Sequence, residues 1–258
     1  MLIKAGNIIS ATIDLYKKNA VLFIKYTALL LIPTLLVTLP TLLFMPTTVS
    51  GQISMQTGAG MIILFFVLAI ISAVLGIWFS LAFVRAVGAT YIGQPADGIK
   101  AGLTKTTGFI LTLIGASILT GLAVMGGMLL LIIPGIIFAV WFAFTTYAIA
   151  IDNKKAVESM KYSKSLVSGR WFGVLWRLIA PAIVFAILMS IVQWLVGLIL
   201  AFIPQTTISI AIVSLIETSV SLLFTPLSVG AMTILYIELK KTPIAMATPM
   251  APPVAPQS

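Results

Sequence analysis

A run of 43 residues, 109–151, contains no charged side chain. It is about twice the length of one membrane crossing, because roughly 20 residues of α-helix span the hydrocarbon core. Pro134 and Gly135 lie past its middle, where proline removes a backbone donor and glycine tolerates a positive φ. The run therefore predicts a helical hairpin, 109–131 and 135–151, with Pro134 and Gly135 at its turn.

The composition of the chain argues against a soluble globular protein. Hydrophobic residues make up 60% of the 258 residues and charged residues only 8%, whereas a soluble domain carries about 25% charged residues. The chain has neither histidine nor cysteine, which excludes His-based catalysis, Ser–His or Cys–His triads and cysteine metal sites. It also has no Gly-rich phosphate loop and no acidic metal motif. We therefore expect an integral membrane protein that is not an enzyme and uses no cofactor or metal.

The hydrophobic pattern predicts an all-α, polytopic membrane protein with six transmembrane helices arranged as three hairpins. The hairpins cover residues 21–93, 94–151 and 152–241. An amphipathic helix, 1–20, precedes them, and together these segments form one membrane domain, 1–241. The Pro-rich remainder, 242–258, carries no charge and is predicted to be a disordered tail.

Amphipathic interfacial helices are expected before each hairpin. The apolar side of the N-terminal one is predicted to carry Leu2, Ala5, Ile9, Ile13 and Tyr16. Such a helix can lie in the headgroup region with its lysines near anionic lipid, or it can pack against the bundle. In the first span, about 21–44, Pro33 and Pro40 predict a kinked or irregular helix, and Pro226 is expected to bend the sixth span, about 208–236.

Lysine and arginine residues occur in alternate segments outside the spans. The N-terminal segment, 94–108, 152–170 and the end of the sixth span carry them, whereas the polar loop 45–60 and the turns 133–135 and 203–207 do not. The positive-inside rule then predicts that both termini and both basic loops are cytoplasmic. With no pattern typical of an outer-membrane barrel, we expect a cytoplasmic-membrane protein of a prokaryote.

A short motif recurs before the hairpins. Ile3–Gly6 and Ile99–Gly102 both read IKAG, and Lys155-Ala156 occupies the corresponding place in the third unit. The order of elements predicts three copies of an interfacial helix plus a hairpin, all in the same orientation. Parallel repeats of this kind occur in transporters, and they also arise wherever a membrane hairpin has been duplicated.

Glu217 is the acidic residue that the predicted topology does not assign to the cytoplasmic side. A carboxyl group in hydrocarbon is costly, so Glu217 is a candidate proton or cation site. The other polar residue at depth is Gln193 in the fifth span. A contact between Gln193 and Glu217 would satisfy both groups by hydrogen bonding, which is a structural role.

The basic residues near the predicted inner boundary are candidate contacts for lipid headgroups, because guanidinium and ammonium groups bind phosphate. They are Lys25, Arg85, Lys154, Lys155, Lys161, Lys164, Arg170 and Arg177. The alternative is that they only fix the inner edge of each span.

Several motifs resemble a known membrane family. They are Pro134-Gly135-Ile136, an aromatic-rich span, the basic segment with Ser163, Leu166 and Val167, Gly169-Arg170-Trp171, and the end segments Leu15–Asn19 and Leu235–Lys241. Together they resemble the six-span glycerophosphoryl diester phosphodiesterase membrane domain and its relatives. The resemblance implies the membrane architecture alone, because this chain has no histidine for the phosphodiesterase centre. The family's acid pair after the span is also replaced by Asp152-Asn153.

Two functional classes follow from these features. The first is a non-catalytic membrane module whose basic cytoplasmic face binds anionic lipid or a protein partner, including a second copy of the chain. The alternative is a small transporter or channel that uses Glu217. Nucleic-acid binding is not expected, because the basic loops are short and lie next to the membrane.

Overall fold

A computed structural model describes residues 2–43, 59–204 and 206–242. Apart from one 3₁₀ turn (Thr107–Phe109), the regular elements in these ranges are α-helices. In order they are α1 (Ala5–Lys18), α2 (Ala20–Leu43), α3 (Ala59–Tyr91), α4 (Ile99–Thr106), α5 (Ile110–Leu130), α6 (Ile132–Phe142), α7 (Thr145–Asp152), α8 (Ala156–Val167), α9 (Trp171–Leu200), α10 (Thr207–Leu223) and α11 (Thr225–Lys241). The all-α class is confirmed. Most of the predicted 45–60 loop and of the predicted tail lies outside the described residues.

Six stretches of the described chain are long and apolar enough to cross a membrane. They are Ala20–Thr38, Ile62–Tyr91, Ile99–Leu130, Ile132–Asp152, Trp171–Leu200 and Ile212–Lys241. Large hydrophobic side chains on them are exposed, including Phe66, Leu129 and Phe172, as expected for helices that face lipid. The chain is therefore a multi-pass integral membrane protein.

The helices of the first two predicted hairpins pack in sequence order. Helix α2 packs against α3, and Ser72 of α3 donates to the Pro33 carbonyl of α2 at 2.5 Å. Helix α5 packs closely on α6, and α10 contacts both α9 and α2. Through α10, the last part of the chain therefore packs against the first.

Helix α1 packs into the bundle. Its buried residues are Ile8, Thr12 and Leu15, whereas the predicted apolar side at Leu2 and Ile9 is only half-buried. The buried face of α1 is therefore shifted by about one residue from the apolar face that the sequence predicts. The reason is a close contact with α11, where a Cβ atom added at Gly230 would lie 2.9 Å from Cγ2 of Thr12. Of the two roles left open for this helix, packing is the one observed.

The predicted turn at Pro134 and Gly135 is displaced. Helix α5 ends at Leu130, Leu131 adopts an extended conformation (φ −164°, ψ 150°), and α6 begins at Ile132. Pro134 and Gly135 therefore lie in the first turn of α6, which tolerates proline because its N–H groups have no intrahelical acceptor. Gly135 therefore allows a close contact between α5 and α6, and it does not form the turn that reverses the chain.

The second arm of this hairpin is also interrupted, contrary to the predicted helix 135–151. Helix α6 stops at Phe142, and α7 begins at Thr145. The hydroxyl of Ser163 in α8 fills the gap: it accepts a hydrogen bond from the Phe144 amide at 3.1 Å and donates to the Trp141 carbonyl at 2.6 Å. Ser163 is fully buried, so α8 replaces the backbone hydrogen bonding that a continuous helix would have.

The predicted sixth span is likewise two helices. Helix α10 ends at Leu223 and α11 begins at Thr225, with Pro226 in the first turn of α11. The expected bend at Pro226 is thus a helix boundary. Helix α11 is the most buried element of the bundle, and Ile234, Tyr236 and Leu239 have no exposed surface. It lies against α1, α3 and α9.

Candidate functional site

Long-range polar contacts bring the ends of α3, α7 and α11 together, and we call this region the charged end of the bundle. Arg85 of α3 donates to Oδ1 of Asn153, just after α7, at 2.8 Å. Tyr91, the last residue of α3, donates to Glu238 of α11 at 2.9 Å. Side chains more than 60 positions apart in the sequence therefore meet at one end of the bundle.

Residues near both ends of the described chain are also held at the charged end of the bundle, by two arginines of the α8–α9 region. Arg170 donates to the Leu239 carbonyl at 3.0 Å and to the Thr242 carbonyl at 2.5 Å, and burial lowers the pKa of its guanidinium. Arg177 donates to the Ile3 carbonyl and to its own helix. Both arginines, predicted as lipid contacts, thus hold backbone carbonyls of the protein.

Asp152 is the centre of the first polar cluster. Its Oδ1 atom lies 2.5 Å from Nζ of Lys240, and its Oδ2 atom accepts a hydrogen bond from the Tyr236 hydroxyl. The Asp152 side chain is only 19% exposed and that of Lys240 32%. The ring of Tyr236 packs beside Phe144 and Tyr147. The aromatic side chains around Tyr236 therefore hold Asp152 in position, and Asp152 in turn holds Lys240.

Asp97, just before α4, and Lys105, in the last turn of α4, form a second pair. Nζ of Lys105 lies 2.6 Å from Oδ1 of Asp97, but the lysine side chain is 54% exposed. The backbone at Asp97 is held in place by Tyr26, whose hydroxyl donates to the Asp97 carbonyl at 3.1 Å. Exposed ion pairs contribute little to stability, so Lys105 can exchange its partner at small cost.

Arg85 differs from the other two arginines because most of its donors are unused. Both of its hydrogen bonds come from Nη1, to Asn153 at 2.8 Å and to the Ala150 carbonyl at 3.3 Å. Among the described residues, Nε and Nη2 have no acceptor. A guanidinium with free donors on one edge suits two oxygens of a phosphate or carboxylate.

These side chains line a cavity of about 350 Å³ at the charged end. Its charged lining consists of Arg85, Lys105, Lys240 and Asp97, and apolar contacts come from Ile92, Ile151 and Ile237. Three cations and one carboxylate leave the lining net positive. The cavity can therefore hold an anionic group with an apolar body beside it.

The predicted contacts on α8 and α2 lie elsewhere. Lys154 pairs with Glu158 at 2.6 Å, a contact that raises the pKa of Lys154 and lowers that of Glu158. Nζ of Lys164 lies 4.3 Å from the ring centre of Trp141. The remaining predicted contacts, Lys25, Lys155 and Lys161, are exposed. Only Arg85 of the predicted set lines the cavity, together with two lysines that the sequence analysis did not select.

The structure brings Gln193 and Glu217 together in part. Nε2 of Gln193 donates to the backbone carbonyl of Glu217 at 3.0 Å and to the hydroxyl of Ser221. The carboxylate of Glu217 takes no part in this contact, and its residue is exposed on α10. In the part of the chain that the structure describes, no cation lies against it. The arrangement supports the structural role for Gln193.

A metal site is not formed by the described residues, among which no group of three or more acidic, histidine or cysteine side chains clusters.

The chain matches a known protein family: a domain of unknown function, DUF7847, matches residues 3–239. The chain belongs to the DUF7847 family. The DUF7847 match begins before α1 and ends in the last turn of α11. No curated protein and no solved structure matches the chain, and the resemblance to the phosphodiesterase membrane domain stays a prediction.

Lys105 and Lys240 were missed because no local pattern distinguishes them. Lys105 lies in a short amphipathic helix, and Lys240 lies two residues after Glu238 at the end of the last span. Their common position depends on α3 and α11 packing side by side, although 133 residues, 92–224, separate the two helices in the sequence. The distribution of lysine and arginine along the chain could still suggest that Lys105 and Lys240 lie at the same end of the bundle, because both are in segments rich in these residues.

Proposed function

We propose that this protein is a non-catalytic membrane module that binds the phosphate group of an anionic lipid at the charged end of its bundle. The observation that carries the proposal is Arg85, which lines a cavity together with Lys105 and Lys240 and whose Nε and Nη2 atoms have no acceptor among the described residues. A phosphate can accept from Nε and Nη2 of Arg85 without loss of the two hydrogen bonds that Nη1 makes to the protein.

The two lysines complete the site in different ways. Lys240 is held at the cavity by Asp152, and a phosphate competes with that carboxylate for its ammonium group. Lys105 is the exposed and exchangeable cation, and it can move from Asp97 to a phosphate oxygen at the mouth of the cavity. Ile92, Ile151 and Ile237 give the lipid's glycerol and acyl region an apolar surface.

The charge distribution supports the orientation that this function requires. The positive-inside rule assigns the charged end to the cytoplasmic side, and the cytoplasmic leaflet carries anionic lipids whose surface potential attracts basic segments. On this proposal, both termini are cytoplasmic. The other basic side chains at this end, such as Lys155 and Lys161, add general electrostatic attraction, whereas the cavity adds selectivity for one bound lipid.

The test is the retention of lipid by the purified protein. The protein is placed in phosphatidylcholine nanodiscs that contain about 10–20% phosphatidylglycerol. Native mass spectrometry then counts the retained lipids of each kind. We expect at least one phosphatidylglycerol to remain bound to the wild-type chain. Lys105→Gln and Lys240→Gln should each reduce its retention several-fold, and the double substitution should reduce it further.

Lys18→Gln is the matched control, because it removes the same charge from an exposed side chain outside the cavity. An equal loss of retention in the control would show that binding follows net charge alone and would overturn the cavity as the site. Equal retention of phosphatidylcholine and phosphatidylglycerol by the wild type would overturn the proposal as a whole.

A further inference from the structure

A second cavity, of about 360 Å³, lies within the spans between α5 and the break that separates α6 from α7. Its polar lining consists of four hydroxyl groups, those of Ser117, Thr120, Thr145 and Thr146. The rest is apolar and includes Leu113 and Phe142. No charged side chain lines it, and it shares no lining residue with the cavity at the charged end.

Two of these hydroxyls are buried without a hydrogen-bond partner, which is unusual for this chain. Oγ1 of Thr120 and Oγ1 of Thr145 have no partner, and Thr145 is only 4% exposed. Several other threonines in the helices donate to the carbonyl four residues earlier, as Thr34 does to Leu30 at 3.0 Å and Thr233 to Val229 at 2.7 Å. An unsatisfied buried hydroxyl costs free energy, so two in one cavity indicate a missing partner.

The helix break explains why Thr145 has a free hydroxyl. The carbonyl four residues before it is that of Trp141, which already accepts the hydroxyl of Ser163 at 2.6 Å. Thr145 is also the first residue of α7, where the backbone N–H groups have no acceptor within the helix. Thr145 thus brings an unused hydroxyl to the lining of the cavity at the helix break.

The lining defines the chemistry of the ligand. A charged group would need a counter-charge at this depth in the membrane, and none is present in the lining. Apolar walls do not hold water well, and the cavity volume corresponds to about a dozen waters at roughly 30 Å³ each. The ligand therefore needs a hydroxyl group for Thr120 and Thr145 and an apolar body for the walls. Ser117 is exposed on α5, so the cavity opens on the outer surface of the bundle.

We propose that this cavity binds the hydroxyl end of an uncharged lipid alcohol. The ligand's hydroxyl donates to one threonine and accepts from the other, and its hydrocarbon part packs against Leu113 and Phe142. This site is independent of the anionic-lipid site, because it uses other residues and other chemistry.

The first measurement is the binding of dioleoylglycerol, an uncharged lipid alcohol, in phosphatidylcholine nanodiscs by native mass spectrometry. The wild-type chain should retain it. The double variant Thr120→Val/Thr145→Val keeps the side-chain shape and removes both hydroxyls, and it should retain the alcohol about tenfold less, as expected for two lost hydrogen bonds. Thr34→Val is the control: it makes the same change at a hydroxyl that is already bonded to its own helix, and it should leave retention unchanged.

Thermal unfolding in the same nanodiscs separates the outcomes. Dioleoylglycerol should raise the melting temperature of the wild type and of Thr34→Val but not that of the double variant. An equal response of all three chains would overturn the site. If the double variant melts higher than the wild type and neither responds to the alcohol, the hydroxyls are unsatisfied and the cavity is empty. If it melts lower without any response to the alcohol, water is the occupant, and the lipid-alcohol assignment is wrong.

Discussion

Gly127 of α5 lies so close to Gly135 of α6 that a Cβ atom added to Gly127 would come within 2.9 Å of the Cα atom of Gly135. A Cβ atom on Gly135 would in turn meet the backbone nitrogen of Met128 at 2.9 Å. Backbone atoms cannot move aside as the end of a side chain can. The two helices are therefore held at a separation that only glycine permits.

Gly135→Ala should destabilise the protein by about 1–3 kcal/mol, the usual cost of an extra group in a packed contact. Gly126→Ala, on the facing helix α5, is the control, because a Cβ atom there meets nothing within 4 Å. The control should be neutral or slightly stabilising, since alanine favours helix more than glycine does. Unfolding in mixed detergent micelles measures both. Equal stability of the two variants would show that α5 and α6 can separate without cost.

Ser163→Ala should destabilise the protein more than the loss of a single oxygen atom would suggest. It removes a buried hydroxyl that bonds to the Phe144 amide and the Trp141 carbonyl, and it leaves both backbone groups without a partner. The expected cost is about 1–3 kcal/mol, with faster hydrogen exchange at the Phe144 amide. Ser165→Ala on the same helix is the control, because Ser165 is exposed. Unchanged exchange at Phe144 would contradict the assigned role of Ser163.

Features that depend on length and hydrophobicity could be read from the sequence. The 43-residue uncharged run does fall in two candidate spans, and the described chain has six stretches long and apolar enough to cross a membrane, which is the predicted number. A span needs only enough apolar residues in a row. By contrast, Pro134 and Gly135 fit a turn and the first turn of a helix equally well, so their sequence could not show which would occur.

The helix break at Phe144 and the composition of the charged end could not be predicted, for a different reason. Residues 142–146 contain neither proline nor glycine, and their backbone leaves the helix because Ser163, on another helix, supplies replacement hydrogen bonds. Arg85, Lys105 and Lys240 line one cavity only after α11 has packed against α3. No pattern along a single segment records either arrangement.

Arg170→Gln should loosen the end of α11. The guanidinium holds the carbonyls of Leu239 and Thr242 from one side, and glutamine is too short and has too few donors to hold both. We expect hydrogen exchange to increase at residues 238–242 and to stay unchanged in α3. Lys161→Gln removes the same charge from an exposed residue and should leave exchange unaltered. Arg170→Lys should resemble the glutamine variant, because an ammonium group cannot replace the fork of donors.

The Asp152–Lys240 pair should contribute more to stability than the Asp97–Lys105 pair. The first pair is the less exposed of the two, and Tyr236 also fixes its acid. A double-mutant cycle with Asp152→Asn and Lys240→Gln should give a coupling of about 1 kcal/mol or more, and the cycle for Asp97 and Lys105 about 0.5 kcal/mol or less. Equal couplings would show that burial and the tyrosine do not strengthen the first pair.

Asp152→Asn should also have opposite effects on stability and on lipid retention. It removes the carboxylate that neutralises Lys240, so the fold loses an ion pair while the cavity gains net positive charge. An anionic phosphate then meets less competition for Lys240 and Arg85. We expect the melting temperature to fall and phosphatidylglycerol retention in nanodiscs to rise several-fold, with phosphatidylcholine retention unchanged. Asp14→Asn, a neutralisation of an exposed acid on α1, should change neither. If phosphatidylglycerol retention instead fell with stability, Asp152 would be needed to position Lys240 for binding, and order in the lysine would matter more than the charge of the cavity.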